Sequence, residues 1–231
     1  MAKLNAARES RIFLTIGQNG LGKVSLRQDV DAGTIGAVAR DWEVNGDKGT
    51  KHEILHDSIE GKITGIEIKQ EEVKGYGDKI VLTFDNEVSV STSTAGKFGS
   101  SIMRQLPGVD LNREVKLFPY SYTPKGKTKE STGVSLKQGE EFDEKISDHF
   151  YDFENKKSQN GIPESDFDWA TVEEWESKKF WADVDKFLQN YTIENVIPNI
   201  PEFVAGEVVG DPEAEAKEEG EEKINPEDIP F

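Results

Sequence analysis

Apolar residues recur along this chain at two periods, and the period decides the element. Between Arg11 and Arg27, Ile12, Leu14 and Ile16 alternate, and Val24 and Leu26 continue after Gly22. That is the pattern of short strands around a glycine-rich turn. Residues 29 to 40 are rich in Gly, Ala and Thr and show no period. Asp41 to Asn45 and Lys51 to His56 flank the turn-forming GDKGT, which predicts a hairpin. In SIEGKITGIEIK, Ile59 and Ile63 share one parity and Ile66 and Ile68 the other, so the core face changes at Gly65. A bulge there restores it, and a long coiled strand of this kind opens a small barrel.

KIVLTF places Ile80, Leu82 and Phe84 on one face, and a third strand follows at Val88 to Val90. The period then lengthens: Phe98, Ile102 and Leu106 recur every four residues, with Gly108 just past the end, which predicts a short helix. REVKLFPYSYT, the basic loop PKGKTKESTG and GVSLKQ complete the order strand, strand, strand, short helix, strand, strand. The predicted class is mainly β: a five-stranded Greek-key barrel of OB type with a short internal helix. Further on, Val172, Trp175, Phe180, Val184, Phe187, Leu188 and Tyr191 fall near one another on a helix running from Trp169, an aromatic stripe that must pack on something. The expected organisation is a barrel domain with an N-terminal extension over 1–168, an aromatic amphipathic helix packed on it over 169–200, and a disordered acidic tail over 201–231.

Charge changes this picture only once it is placed. Of the 231 residues, 35% are hydrophobic and 32% charged, and the formal net charge is −17. Residues 1–140 hold 20 Lys and Arg against 19 Asp and Glu, a net of +1. Residues 141–210 carry −11 and residues 211–231 carry −7. The first 140 residues are therefore balanced and free to present a basic face, while the excess acid lies downstream. The absence of cysteine excludes disulfides, thiolate metal sites and cysteine nucleophiles. No run approaches the roughly 18 apolar residues of a membrane span, and MAKLNAARESR lacks the apolar core of a signal peptide, so a soluble, cytoplasmic protein is expected.

Two motifs invite an enzymatic reading. His52-Glu53-Ile54-Leu55-His56 matches HExxH, in which two histidines at helical spacing bind zinc and the glutamate acts as base. A helix is hard to draw between Gly49 and Gly61, and the alternative is a strand in which His52, Ile54 and His56 alternate with Glu53 and Leu55. GQNGLGK, Gly17 to Lys23, has the spacing of a phosphate loop, but Val24 stands where the magnesium-binding hydroxyl belongs and VSLRQD continues as a strand. With only His52, His56 and His149 present and no nucleophile elbow, Ser/His/Asp catalysis has little support. No catalytic residue, metal ligand or cofactor is assigned.

A binding surface is better supported. If REVKLFPYSYT is a strand, Val115 and Leu117 point one way and Lys116, Phe118, Tyr120 and Tyr122 the other. Bases of single-stranded nucleic acid stack on such rings while nearby cations neutralise phosphates. Lys125, Lys127 and Lys129 lie in the adjoining loop, Lys74, Tyr76 and Lys79 form a second candidate wall, and Lys97 and Arg104 sit on the short helix. The competing reading makes Phe118, Tyr120 and Tyr122 core, with Pro119 breaking the alternation.

The chain closes on Asn225-Pro226-Glu227-Asp228-Ile229-Pro230-Phe231, an acidic segment ending in an aromatic residue that bears the terminal carboxylate. Apolar groups on such a tail gain nothing from folding, and a pocket with a basic rim receives ring and carboxylate together. The tail ending Asp228-Ile229-Pro230-Phe231 resembles that of bacterial and phage single-stranded DNA-binding proteins, whose final DIPF docks into replication and repair partners. The resemblance covers about a tenth of the chain. The region before Ile59, the aromatic helix and the missing Gln/Gly-rich linker depart from the bacterial housekeeping protein, which points to a divergent, phage-type member. The resemblance implies a non-enzymatic protein of the bacterial cytoplasm that coats single-stranded DNA during replication, recombination and repair. It also implies that Asp228, Ile229, Pro230 and Phe231 recruit partner enzymes. The tail is further expected to occupy the basic groove when DNA is absent. An acidic adaptor that binds only proteins, and a zinc peptidase at 52–56, are the alternatives.

Overall fold

A computed structural model describes residues 11–18, 24–44, 46–70, 77–126 and 128–201. Strands form over the segments read as strands, although β3 begins inside the stretch without a period and the long strand from Ile59 divides in two: β1 (Ile12–Gln18), β2 (Val24–Val30), β3 (Val38–Val44), β4 (Asp47–His56), β5 (Ile59–Gly61), β6 (Ile63–Lys69), β7 (Lys79–Phe84) and β8 (Val88–Ser93). Helix α1 (Lys97–Gln105) leads to β9 (Val115–Tyr122), β10 (Ser131–Gln138) and the two-residue β11 (Glu144–Lys145), β12 (Tyr151–Asp152) and β13 (Lys157–Ser158). Helix α2 (Glu174–Tyr191) follows, and its last turn runs on through short helical turns to Asn199. The tail and its tip, Asp228 to Phe231, lie outside the described residues.

Ile80, Leu82 and Phe84 are buried on one face of β7 as the alternation requires, and Ile102 and Leu106 bury the helical stripe of α1. The face change along Ile59 to Ile68 takes the form foreseen: the β6–β7 register slips between Ile63 and Gly65, so that Ile63 and Ile66 both reach the core. The sharper turn comes earlier. Gly61 has φ +153°, and a Cβ there would lie 2.2 Å from Asp85 Oδ2, whose partner oxygen accepts the Lys62 N–H at 3.0 Å. At this corner the chain leaves one sheet for the other, since β5 pairs with β9 and β6 with β7.

The architecture is mainly β but not the closed five-stranded barrel expected. Seven strands form an open mixed sheet in the order β3-β4-β2-β1-β8-β7-β6, and four more the order β11-β10-β9-β5. Among the described residues no pairing joins β8 to β10; β8 instead takes β1 as its second, parallel neighbour. The reason lies at the edge of β10. Ser101 Oγ and Gln105 Nε2 donate to the Val134 carbonyl at 3.0 and 2.8 Å, and the Leu136 N–H donates to Gln105 Oε1 at 2.9 Å. Side chains of α1 thus satisfy backbone groups that a closing strand would use. The N-terminal residues, read as an extension, supply β1 to β4 of the large sheet.

The hairpin foreseen around GDKGT is β3–β4, with β4 already begun at Asp47. The aromatic segment is helical only from Glu174, so Trp169 and Val172 precede α2. Val184 and Leu188 carry its burial, with Phe180, Phe187 and Tyr191 packed partly against the core, while Trp175 and Trp181 face solvent. Among the described residues no helix is long and apolar enough to cross a membrane.

Candidate nucleic-acid interface

The alternation of β9 is kept through Pro119. Val115 and Leu117 are fully buried, and Lys116, Phe118 and Tyr120 are half-buried on the other face, leading to Tyr122, which is 56% exposed. Pro119 pairs with Val134 on one side and lies beyond the three-residue β5 on the other, where a missing N–H costs least. The three rings form a ladder, with centroids 6.4 Å apart for Phe118 and Tyr120 and 5.9 Å for Tyr120 and Tyr122. Across the register they stand opposite Ser135, Gly133 and Ser131 of β10. Gly133 lets the Tyr120 ring lie over β10: a Cβ there would come within 2.7 Å of Tyr120 Oη. A ring flat on a sheet turns its free π-face outward, the geometry a stacked base needs. Burial pushes the Tyr120 phenol above its ordinary value, and the neighbouring Tyr122 raises it further, so it stays a neutral hydrogen-bonding group at physiological pH.

The same face carries a row of cations that sequence reading had found only in part. Lys116 stands directly opposite Lys137, and Lys137 opposite Lys145, across three adjacent strands. Like charges placed opposite one another destabilise a sheet, so folding does not account for the row. Lys116 is ion-paired to Glu60 and lies 5.6 Å from the Phe142 centroid, and Lys137 Nζ sits 5.5 Å from the Phe118 centroid. Lys137 was legible, since in GVSLKQ it falls on the polar parity of β10; Lys145 was not, because a two-residue strand leaves no period.

Beside the ladder is a cavity of about 380 Å³ lined by Tyr120, Arg104, Lys145 and Phe153, among others. Arg104 Nη1 donates to Asp148 Oδ2 at 3.2 Å, which holds the guanidinium at the cavity wall, and the Arg104 carbonyl accepts the His149 N–H at 2.8 Å. Phe153, 67% exposed, is a ring that the sequence analysis passed over. It belongs to the short β12–β13 hairpin, whose only sequence signal is a pair of aromatic residues beside paired lysines.

The remaining candidates are scattered. Lys125 and Lys129 are exposed in the turn after β9, near the ladder's Tyr122 end. Lys127, Lys74 and Tyr76 lie outside the described residues. Lys79 is half-buried at the start of β7, opposite Lys69 and Ser93 in the other sheet, so it does not share the face of β9. Lys97 is exposed in the first turn of α1, lining a separate cavity with Trp181 and Asp185. Desolvation raises the Asp185 carboxyl above its ordinary value, against hydrogen bonds from Gln189 and Thr94 that lower it, and its Oδ1 has no donor among the described residues.

The HExxH residues lie in β4, and Glu53, 1% exposed, is held by Arg40, whose Nη2 donates to its Oε1 at 2.7 Å, and by Arg27 at 3.6 Å. That hydrogen bond holds the Arg40 guanidinium above its ordinary pKa despite burial. His56 contacts Gln28 at 3.3 Å, and His52 takes the opposite parity to Glu53. On a strand the pentapeptide cannot present two histidines to one ion as a helix does. Among the described residues no group of three or more His, Asp or Glu side chains is placed to hold a metal. The phosphate-loop candidate is mostly outside the described residues, but Val24 opens strand β2 rather than a helix. Compared with protein-family models, with curated proteins and with solved structures, the chain matches none.

Proposed function

We propose that the outer face of β9, β10 and β11 binds single-stranded DNA without sequence preference, and that the protein coats such strands during replication, recombination and repair. The observation that carries this reading is the conjunction on one face of a ladder of three rings, one of them lying over Gly133, and three lysines placed side by side at a cost to the sheet. Rings with an open π-face accept any base, and lysines within reach of phosphates add affinity that falls with salt. The strands from β5 to β10 with α1 retain the order of an OB barrel, and the reading takes them as an opened variant of it, with α1 in place of the closing strand pair.

The reading includes the acidic C-terminus. Asp228, Ile229, Pro230 and Phe231 recruit partner enzymes, and the tail, carrying −7 over residues 211–231, competes with DNA for the lysine row. Deleting 211–231 then tightens DNA binding at low salt; unchanged affinity removes the competition from the account.

The test is a fluorescence-anisotropy titration of labelled oligo-dT, with duplex DNA of the same length as control, at low and moderate salt. The reading predicts salt-sensitive binding to the single strand and much weaker binding to the duplex. No binding by either the full chain or the tail-deleted chain would reduce the protein to an adaptor whose basic aromatic face has another use.

A further inference from the structure

The Tyr120 cavity does not end at Arg104. That residue also lines a second cavity, of about 390 Å³, on the far side of the β12–β13 hairpin. The hairpin is the shared wall: Phe153 faces the first cavity and Tyr151 the second, their ring centroids 4.9 Å apart and edge to face. Like the first, the second cavity brings aromatic rings and cations together. Trp169 and Trp181, 50% and 53% exposed, lie 5.9 Å apart and tilted by 31°, and Lys156 and Lys157 stand beside them. Glu164 is the one carboxylate in that lining, while Arg104 also holds Asp148 and Lys157 stands opposite Asp152 across the hairpin. Lys156 and Lys145 make no ion pair among the described residues. Indole rings left half in water lose about half of the gain that full burial would give, and Lys156 sits at a positive φ of +52° without a glycine to relax it.

Building on the single-strand reading, we propose that this second cavity continues the DNA path, so that one chain holds two stacking stations, Phe118–Tyr122 and Trp169–Trp181, joined by Arg104. The strand leaves the lysine row at Lys145, passes Phe153 and Arg104, and enters between Lys156, Lys157 and the indoles. The acidic segment after residue 140, whose net charge argues against DNA, then contributes to binding through one local basic pocket.

The experiment compares oligo-dT of about 6 and about 16 nucleotides, toward the two ends of the site sizes that such grooves cover, on the full chain. Three proteins are titrated: wild type, Trp169→Ala with Trp181→Ala, and Lys156→Glu with Lys157→Glu. Circular dichroism melts report folding. Because Trp169 and Trp181 also pack against Phe180, the lysine pair, which lies at the surface, decides if the tryptophan pair misfolds. The proposal expects either double substitution to weaken the long oligomer about tenfold or more and the short one less than about twofold, and the lysine pair to shallow the salt dependence. It also expects the long oligomer alone to quench tryptophan fluorescence in wild type. Wild-type binding whose length dependence and salt slope are unchanged by the lysine pair overturns the second station and leaves the first intact. Failure of wild type to bind either oligomer overturns both.

Discussion

At the scale of single residues, the interface rests on a glycine. Gly133 lets Tyr120 lie on β10, so a methyl group there lifts the ring by clashing with its hydroxyl end. Gly133→Ala is predicted to weaken oligo-dT binding with little change in the far-ultraviolet spectrum. Tyr120→Ala removes one stacking ring, worth about 1 to 3 kcal/mol, and Tyr120→Phe retains most of the affinity. Equal losses for the Phe and Ala variants would assign Tyr120 a hydrogen-bonding role instead. Asp185 offers a pH test. Its folded-state pKa is raised, so protonation favours the fold: the penalty of the charged form is present at neutral pH and disappears as pH falls below the ordinary value of 3.8. Asp185→Asn keeps acceptors for Thr94 and Gln189 while removing the charge. It should raise Tm at pH 7, and the gain should vanish near pH 3, where the wild-type carboxyl is protonated in both states. Thermal melts at the two pH values check this. The orientation of Phe118, Tyr120 and Tyr122 was legible because β9 is long enough to show its period. Phe153, Trp169 and Trp181 were not, since they lie in turns or on a helix whose stripe divides between core and solvent.

At the scale of elements, the decisive contact is between α1 and the edge of β10. Gln105 donates to Ser101 and Val134 and accepts from Leu136, so it serves three backbone groups at once while buried. Gln105→Leu takes the acceptor from the Leu136 N–H and leaves the Val134 carbonyl with Ser101 Oγ, and it should cost about 1 to 3 kcal/mol, read from chemical denaturation. A loss below about 0.5 kcal/mol would mean that water serves them equally well. The corner at Gly61 is as sensitive: Gly61→Ala sets a side chain against Asp85 in a backbone conformation that L residues rarely adopt, and it should lower Tm more than any surface substitution in β5 or β6. The order of elements was readable from Ile59 to Gln138 because each strand there carries its own alternation. Closure was not readable. It depends on whether a strand or a helix side chain takes the free edge of β10, and hydrophobic period carries no trace of that choice. The HExxH letters show the converse, a motif whose chemistry requires a helix but whose neighbours Lys51, Ile54 and Leu55 build a strand bonded to β2 and β3.

At the scale of the whole molecule, net charge and local charge point in opposite directions. A chain at −17 repels DNA on average, yet the face of β9 to β11 concentrates Lys116, Lys137 and Lys145 within about 10 Å, two strand spacings. Screening confines each field to roughly 10 Å at 0.1 M salt, so a bound strand senses the row, including the Glu60 carboxylate paired to Lys116, more than the carboxylates beyond that range. Binding should therefore weaken with salt in proportion to the lysines engaged. Replacing Lys137 and Lys145 by Ala should shallow the logarithmic salt slope by about 1.4, from about 0.7 for each single-strand phosphate contact. Most directly, the central claim is tested by photocrosslinking oligo-dT that carries iodinated pyrimidines to the full-length protein and mapping the linked peptides by mass spectrometry. The account predicts adducts at Phe118, Tyr120 or Tyr122. Adducts confined to other segments, obtained under conditions where the oligomer is bound, would contradict it.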